Sequence, residues 1–208
     1  MSVIVLNGTS SAGKSTLAAA LRDRFAEAGE CWLVMSQDDF FSKIPRAFVR
    51  YGTVHVGSFA HQGVSLAIVD GVLTRRVGPI GARLLEAYRA AIAATARSGV
   101  NVIVDEVLVD ESDWQSWCRH LEGLDVHWVG VRAALEVVEA RERGRTDRVN
   151  GIARAEYDQV HRYANYRTEV DTAVLDPAAA ARAIFAARRS DRSRSRAPQR
   201  PSITPPPR

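Results

Sequence analysis

The stretch Gly8-Thr-Ser-Ser-Ala-Gly13-Lys14-Ser15 (GTSSAGKS) has the form G-x-x-x-x-G-K-[ST]. It follows the apolar run Val3–Leu6 and precedes a helical pattern over Ser15–Ala28, where Leu17, Leu21 and Phe25 recur every four residues. Strand, glycine loop and helix are the context this motif requires. Glycines let the backbone curl so that several N–H groups point inward, and the positive end of the helix dipole adds to them. Such a loop holds phosphates. Lys14 is predicted to reach the β- and γ-phosphates of ATP, and the Ser15 hydroxyl to ligate Mg²⁺. Gly8, Thr9, Ser10, Ser11, Ala12, Gly13, Lys14, Ser15 and Thr16 are the predicted nucleotide contacts. The chain has two lysines, Lys14 and Lys43, so the placement of Lys14 is informative. The alternative is a Gly/Ser turn with an incidental lysine, but chance matches to eight positions in this context are uncommon.

Outward from the loop, short apolar runs alternate with longer helical patterns. Trp32–Met35, Val100–Val104, Val126–Val131 and a short Val170–Thr172 read as strands. Pro79–Ser98, Glu111–Leu121, Ala133–Arg143, Ala153–Asn165 and Pro177–Arg188 read as helices. Continuous apolar strands in a β-α-β-α order predict a parallel sheet covered on both faces. The expected fold is therefore α/β: a three-layer P-loop NTPase fold, with a five-stranded parallel sheet flanked by helices and a helical lid. Tyr51–Gly78 breaks the alternation and reads as a loop or hairpin insertion. Residues 40–78 are the expected acceptor-pocket insertion, since long inserts in α/β domains carry substrate contacts.

The chain has 208 residues, 46% of them apolar and 25% charged, which suits one ordinary globular domain, predicted over residues 1–188. The net charge of +4 comes from the end of the chain: residues 188–208 hold seven arginines and one aspartate, which leaves residues 1–187 at about −2. The folded domain thus lacks a polyanion-binding signature, and nucleic acid is not expected to bind it. Residues 189–208, rich in Arg, Ser and Pro, are predicted to be a disordered tail. The tail reads either as a partner-binding arm or as a dispensable extension. There is no basic leader and no apolar run of ~20 residues, so a cytoplasmic location without a membrane span is expected. Cys31 and Cys118 lack metal-ligand spacing and read as reduced thiols. The histidines lack such spacing too, and His127, inside a strand pattern, reads as structural.

Three acidic or basic groups then carry the chemistry. The third strand ends in Asp105-Glu106; Asp105 is predicted to support Mg²⁺, while Glu106 either shares that role or caps the next segment. Asp38 follows the second strand, at the sheet edge where ligands bind. It is assigned as the base that takes a proton from an acceptor hydroxyl, with Asp39 as a cap or supporting residue; the competing role is capping a short helix over Phe40–Phe48. Phe40, Phe41, Ile44 and Pro45 would supply an apolar wall. The segment Arg141–Arg148 is the predicted lid, about residues 141–151. If the helix continues through it, Arg141, Arg145 and Arg148 fall near one face, with Arg141 and Arg145 on the moving phosphoryl group and Arg148 on the nucleotide. Gly144 weighs against continuity and would make a hinge. The plainer reading is a solvated face with internal Arg–Glu and Arg–Asp pairs.

These stretches resemble the chloramphenicol phosphotransferase family, small P-loop kinases that phosphorylate an antibiotic hydroxyl. The L-N-G-x-S-S-A-G-K-S loop is matched by Leu6–Ser15. The strand, acid, short helix and proline are matched by Met35–Pro45, which puts the family's catalytic aspartate on Asp38. The I-I-V-D-[DE]-V-x-L strand is matched by Val102–Leu108, W-V-G-V-R by Trp128–Arg132, the R-E-x-x-R-x-D-R-V-x-G lid by Arg141–Gly151, and V-D-T by Val170–Thr172. The resemblance spans residues 2–188 and is loose over Arg46–Gly78. It implies an ATP- and Mg²⁺-dependent transfer to a small-molecule hydroxyl, with chloramphenicol or a similar antibiotic as acceptor. Rival readings are a kinase of a nucleoside, nucleotide sugar or other metabolite, and a nucleotide-gated switch without transfer. The acceptor, the choice of ATP over GTP, and homo-oligomerisation stay open at this level.

Overall fold

A computed structural model describes residues 1–51, 55–56, 58–69, 72–145 and 150–196. The main sheet holds β1 (Ser2–Asn7), β2 (Trp32–Ser36), β7 (Asn101–Glu106), β8 (Asp125–Arg132) and β9 (Thr168–Asp171). Its order is β2-β7-β1-β8-β9, and every neighbouring pair is parallel. The five-stranded parallel sheet expected from the sequence is the one observed.

Side chains alternate across the sheet, so each strand feeds two cores. Ile4, Leu6, Ile103, Val129 and Val131 face α1 (Lys14–Glu27) and α7 (Pro177–Arg196), where they meet Leu17, Leu21, Phe25, Ile184 and Phe185. Val3, Val5, Val102 and Val104 face α3 (Pro79–Arg97) and α4 (Glu111–His120), where they meet Tyr88, Ile92, Trp117 and Leu121. Apolar residues on both faces explain why the strands read as unbroken runs rather than as alternating ones.

The insertion is larger than the loop or hairpin expected. It forms a second sheet of four strands, in the order β4-β3-β5-β6, from β3 (Val49–Tyr51), β4 (His55–Val56), β5 (Val64–Val69) and β6 (Val72–Val77). β3 with β4 and β5 with β6 are antiparallel pairs of consecutive strands, the kind local patterning could suggest; β3 also pairs with β5 in parallel, across an intervening segment. A charge network ties this sheet to the main domain. Arg75 on β6 donates to Asp113 on α4 at 2.8 Å, and Asp113 also takes Arg89 of α3 at 2.5 Å.

Three boundaries differ from expectation. The helix predicted over Phe40–Phe48 is instead α2 (Gln37–Phe41), followed by a 3-10 turn over Arg46–Phe48. Helix α6 (Ile152–Tyr157) stops well before Asn165, because the chain turns so that the Tyr166 hydroxyl reaches Asn7 at 2.6 Å. The last helix continues to Arg196, past the predicted domain end at 188. Arg188 is buried and donates to Asp125 at 3.0 Å, while Asp191 lies 3.5 Å from His127 and 3.7 Å from Arg167, so the extra turns are anchored. The tail prediction for residues 197–208 lies outside the described residues. Among the described residues, no helix is long and apolar enough to cross a membrane.

Candidate active site

The loop after β1 turns sharply into α1. Gly13 sits at φ 86 as the N-cap of α1, a left-handed conformation that glycine adopts without steric cost. No acidic side chain stands in the first turn of α1 to compete for its positive end. Lys14 is 7% exposed, and its Nζ donates to the Thr9 carbonyl at 2.9 Å and lies 3.9 Å from Asp105 Oδ1. Ser15 Oγ donates to Asp105 Oδ2 at 2.6 Å. The parallel pairing of β1 with β7 brings Asp105 level with Leu6, one strand from the loop.

Pairing of β2 with β7 sets Ser36 opposite Asp105, so α2 starts beside that acid. Ser36 caps α2: its Oγ accepts the Asp39 N–H at 3.0 Å. The cap expected of Asp39 therefore falls to Ser36, because the helix begins three residues earlier than predicted and takes both aspartates into its first turn. Asp38 is exposed and lines the cleft together with Ser36 and Gln37.

That cleft has a volume of about 780 Å³. It gathers Ser10, Ser11, Gly13, Lys14, Ser15, Thr16, Asp38, Asp105, Arg141 and Arg145 on one wall system. Gly8, Thr9 and Ala12 stand behind this lining: Thr9 Oγ1 donates to the Ala153 carbonyl at 2.9 Å, and the Ala12 carbonyl accepts from Thr172 at 2.7 Å. Arg148 lies outside the described residues.

The arginines reach the cleft by a different route from the one predicted. Helix α5 (Leu135–Arg143) ends at Gly144, so no continuous helix aligns Arg141 with Arg145. Arg141 sits in the last turn of α5 and grips Thr172, donating from Nη1 to Oγ1 at 3.0 Å and from Nη2 to the carbonyl at 2.8 Å. Thr172–Pro177 line the cleft beyond the arginines, with Val174 79% exposed. Sequence reasoning did not assign this loop; its one signal was the V-D-T pattern at Val170–Thr172.

Nor do the expected wall residues line the cleft. Phe41 is buried, and Phe40 packs on Tyr88 with ring centroids 5.3 Å apart, so this pair belongs to the core beneath α2. Ile44 is half-buried and Pro45 exposed. Glu106 lies behind Asp105, 3% exposed, accepting the Val107 N–H at 2.9 Å and Trp117 Nε1 at 3.2 Å. Of its two predicted roles, the observed contacts are those of a cap on the following segment. Burial pushes its carboxyl up to about 8, so Glu106 is mainly protonated at pH 7. Tyr88, also buried, is pushed well above its ordinary value first by burial and then by the nearby Glu106, Asp105, Asp38 and Asp39. His161 is held neutral, at about 4, by burial and by the cations Arg132 and Lys14. His127 is 1% exposed and bonded to Thr168 Oγ1 at 2.9 Å, as a structural strand residue would be.

The cleft thus carries charges of both signs: Lys14, Arg141 and Arg145 are its cations, and Asp38 and Asp105, which follow β2 and end β7, its carboxylates. Ser15 and Asp105 offer hard oxygen donors in contact with each other, which suits Mg²⁺, an ion that takes one or two protein oxygens and completes its shell with phosphates and water.

A family model described as chloramphenicol phosphotransferase-like protein matches residues 1–189. The chain belongs to that family. A Mycobacterium tuberculosis relative, provisionally described as an O-phosphotransferase, is 34% identical over 172 residues, covering 82% of this chain and 74% of the relative. Among solved structures, the Mycobacterium tuberculosis APS kinase in complex with AMPPNP and APS aligns with a TM-score of 0.61 at 16% identity, over 90% of this chain and 97% of that one. A gluconokinase from Sinorhizobium meliloti aligns with a TM-score of 0.59 at 16% identity, over 95% and 98%. At such identities the likeness speaks for the fold, which is that of kinase-like P-loop phosphotransferases. The family is one of kinase-like P-loop phosphotransferases.

Proposed function

We propose that this family member transfers the γ-phosphoryl group of ATP, with Mg²⁺, to a hydroxyl of a small molecule, and that the acceptor is chloramphenicol or a similar antibiotic. The observation that carries this reading is that Asp38 opens onto the same cleft as the phosphate loop. In this reading ATP lies on Gly8–Thr16. The Asp38 carboxylate takes the proton of the acceptor hydroxyl as that oxygen bonds to the γ-phosphorus. The bond from the γ-phosphorus to the bridging oxygen breaks, and ADP leaves. Lys14, Arg141 and Arg145 stabilise the charge on the group in flight, and bound Mg²⁺, held by Ser15 and Asp105, supplies further charge neutralisation. The protein's work is positioning and electrostatics, since phosphoryl transfer asks for little covalent chemistry.

The test is mass spectrometry of chloramphenicol incubated with the protein and MgATP, beside Asp38→Asn. A phosphorylated product is expected, with the variant slower by roughly 10²–10⁴, the usual span for a general base. A loss below about threefold would remove Asp38 from that role. ATP binding with no product would move the acceptor to nucleosides, nucleotide sugars and other antibiotics. Binding without transfer to any of them would favour the nucleotide-gated switch.

A further inference from the structure

The phosphate loop is gripped from two sides. On one side stands α6. Its Glu156, 7% exposed, accepts the Ser10 N–H at 2.8 Å and the Thr9 hydroxyl at 3.4 Å, both on Oε2, and its Ala153 carbonyl accepts Thr9 Oγ1 at 2.9 Å. On the other side the Thr172 hydroxyl donates to the Ala12 carbonyl at 2.7 Å. Between the grips is Ser11, at φ 62 the one non-glycine with positive φ among the described residues. Its Oγ is buried on the cleft wall and finds no partner among the described residues. A serine persists in that conformation only where its surroundings over-determine it.

Both grips lead back to neighbouring residues of α5. Arg141 holds Thr172. Glu142, 2% exposed, accepts the Gly151 N–H at 2.6 Å and the Ala153 N–H at 2.9 Å, at the start of α6. A helix of six residues does not hold its own position in water, so α6 depends on such contacts for where it stands. Glu142 touches no residue of the phosphate loop through these bonds, yet it fixes the helix that does.

We infer that Glu142 and Glu156 are positioning residues which, acting through α6, hold Ser10–Ala12 in the shape that aims Ser11 and the loop N–H groups at the nucleotide phosphates. This rests on the phosphotransferase reading, which puts the phosphates there. Oε2 of Glu156 accepts the Ser10 N–H, and a carboxamide oxygen in its place can accept the same bond. A purely electrostatic role would predict the reverse.

The experiment combines amide hydrogen exchange of the ligand-free protein with calorimetric titration by MgATP. Glu142→Ala and Glu156→Ala are expected to speed exchange in the peptide covering residues 8–13, with the strands of the main sheet unchanged. Both are expected to weaken MgATP by about tenfold or more, the loss of one charge-assisted hydrogen bond. Glu156→Gln stays within about threefold of wild type on the same scale. Unchanged loop exchange in Glu142→Ala, or Glu156→Gln as damaging as Glu156→Ala, overturns the inference. If melting shows that Glu142→Ala does not fold, Glu142→Gln, which keeps one acceptor oxygen, is judged by the same criteria. Failure of the wild-type protein to bind MgATP would instead remove the phosphotransferase reading, and the exchange data alone would then decide whether the two glutamates hold the loop.

Discussion

Replacing Gly8 by alanine should damage both the fold and nucleotide binding, for a reason that can be measured on the structure. A Cβ at Gly8 would lie 2.3 Å from the Val131 carbonyl oxygen and 3.3 Å from Val131 Cβ. Val131 is fully buried in β8 and paired with Val170 on β9, so its carbonyl cannot retreat without breaking the sheet. The loop must move instead, by about 1 Å, to restore ordinary van der Waals separation. Overpacking of this kind costs roughly 1–3 kcal/mol. In a chain of this size each kcal/mol lowers the melting temperature by about 2–4 °C, so a fall of roughly 2–12 °C is expected. A displacement of about 1 Å in a preorganised site costs on the order of 10²-fold, and MgATP affinity should fall by that scale. Thermal melting and calorimetric titration measure the two effects. Gly29→Ala is the control: it has φ +76 with nothing within 4 Å of an added Cβ, so it carries left-handed strain of roughly 1–2 kcal/mol and should leave MgATP binding unchanged. A Gly8→Ala protein that melts with wild type and binds MgATP within about threefold would refute the steric argument.

Other outcomes follow from the same geometry. Lys14→Met should reduce transfer by roughly 10²–10³, the cost of one preorganised charge-stabilising donor, as read from steady-state rates. Asp113→Ala strips Arg89, 6% exposed in its side chain, of its 2.5 Å partner, and denaturant unfolding should show a loss of about 3–5 kcal/mol; replacing Arg89 and Asp113 together by apolar residues should recover most of it. Glu106 makes stability fall as pH rises from about 4.5 to about 8, because over that window the unfolded chain has released a proton that the folded chain keeps. Melting of Glu106→Gln across pH 5–9 should lack that component of the slope, and an unchanged slope would exclude Glu106 as its source.

The parts of this protein legible in the sequence are those whose physics is local. The phosphate loop is legible because eight consecutive residues hold the backbone freedom, the lysine and the hydroxyl that its chemistry needs. The five parallel strands are legible because burial on both faces writes itself as unbroken apolar runs such as Val3–Leu6 and Val102–Val104. Asp38 and Asp105 are legible as residues at the ends of such strands, since that end of a parallel sheet is where ligands sit. Local signals failed where a distant partner decided the outcome. Ser36, rather than Asp39, caps α2, because β2 runs one residue further beside β7. The second sheet needs β3 to find β5, which no periodicity in either strand announces. Arg141 reaches the cleft because Thr172 receives it, not because a helix continues. Thr172 lies 160 residues from the Ala12 carbonyl it bonds, and Glu156 lies 146 residues from the Ser10 N–H it accepts. By itself the sequence determined the P-loop motif and its place at the edge of a parallel sheet. Only the tertiary structure decided which buried carboxylates and hydroxyls shape that loop, because their hydrogen bonds exist only once remote segments pack together.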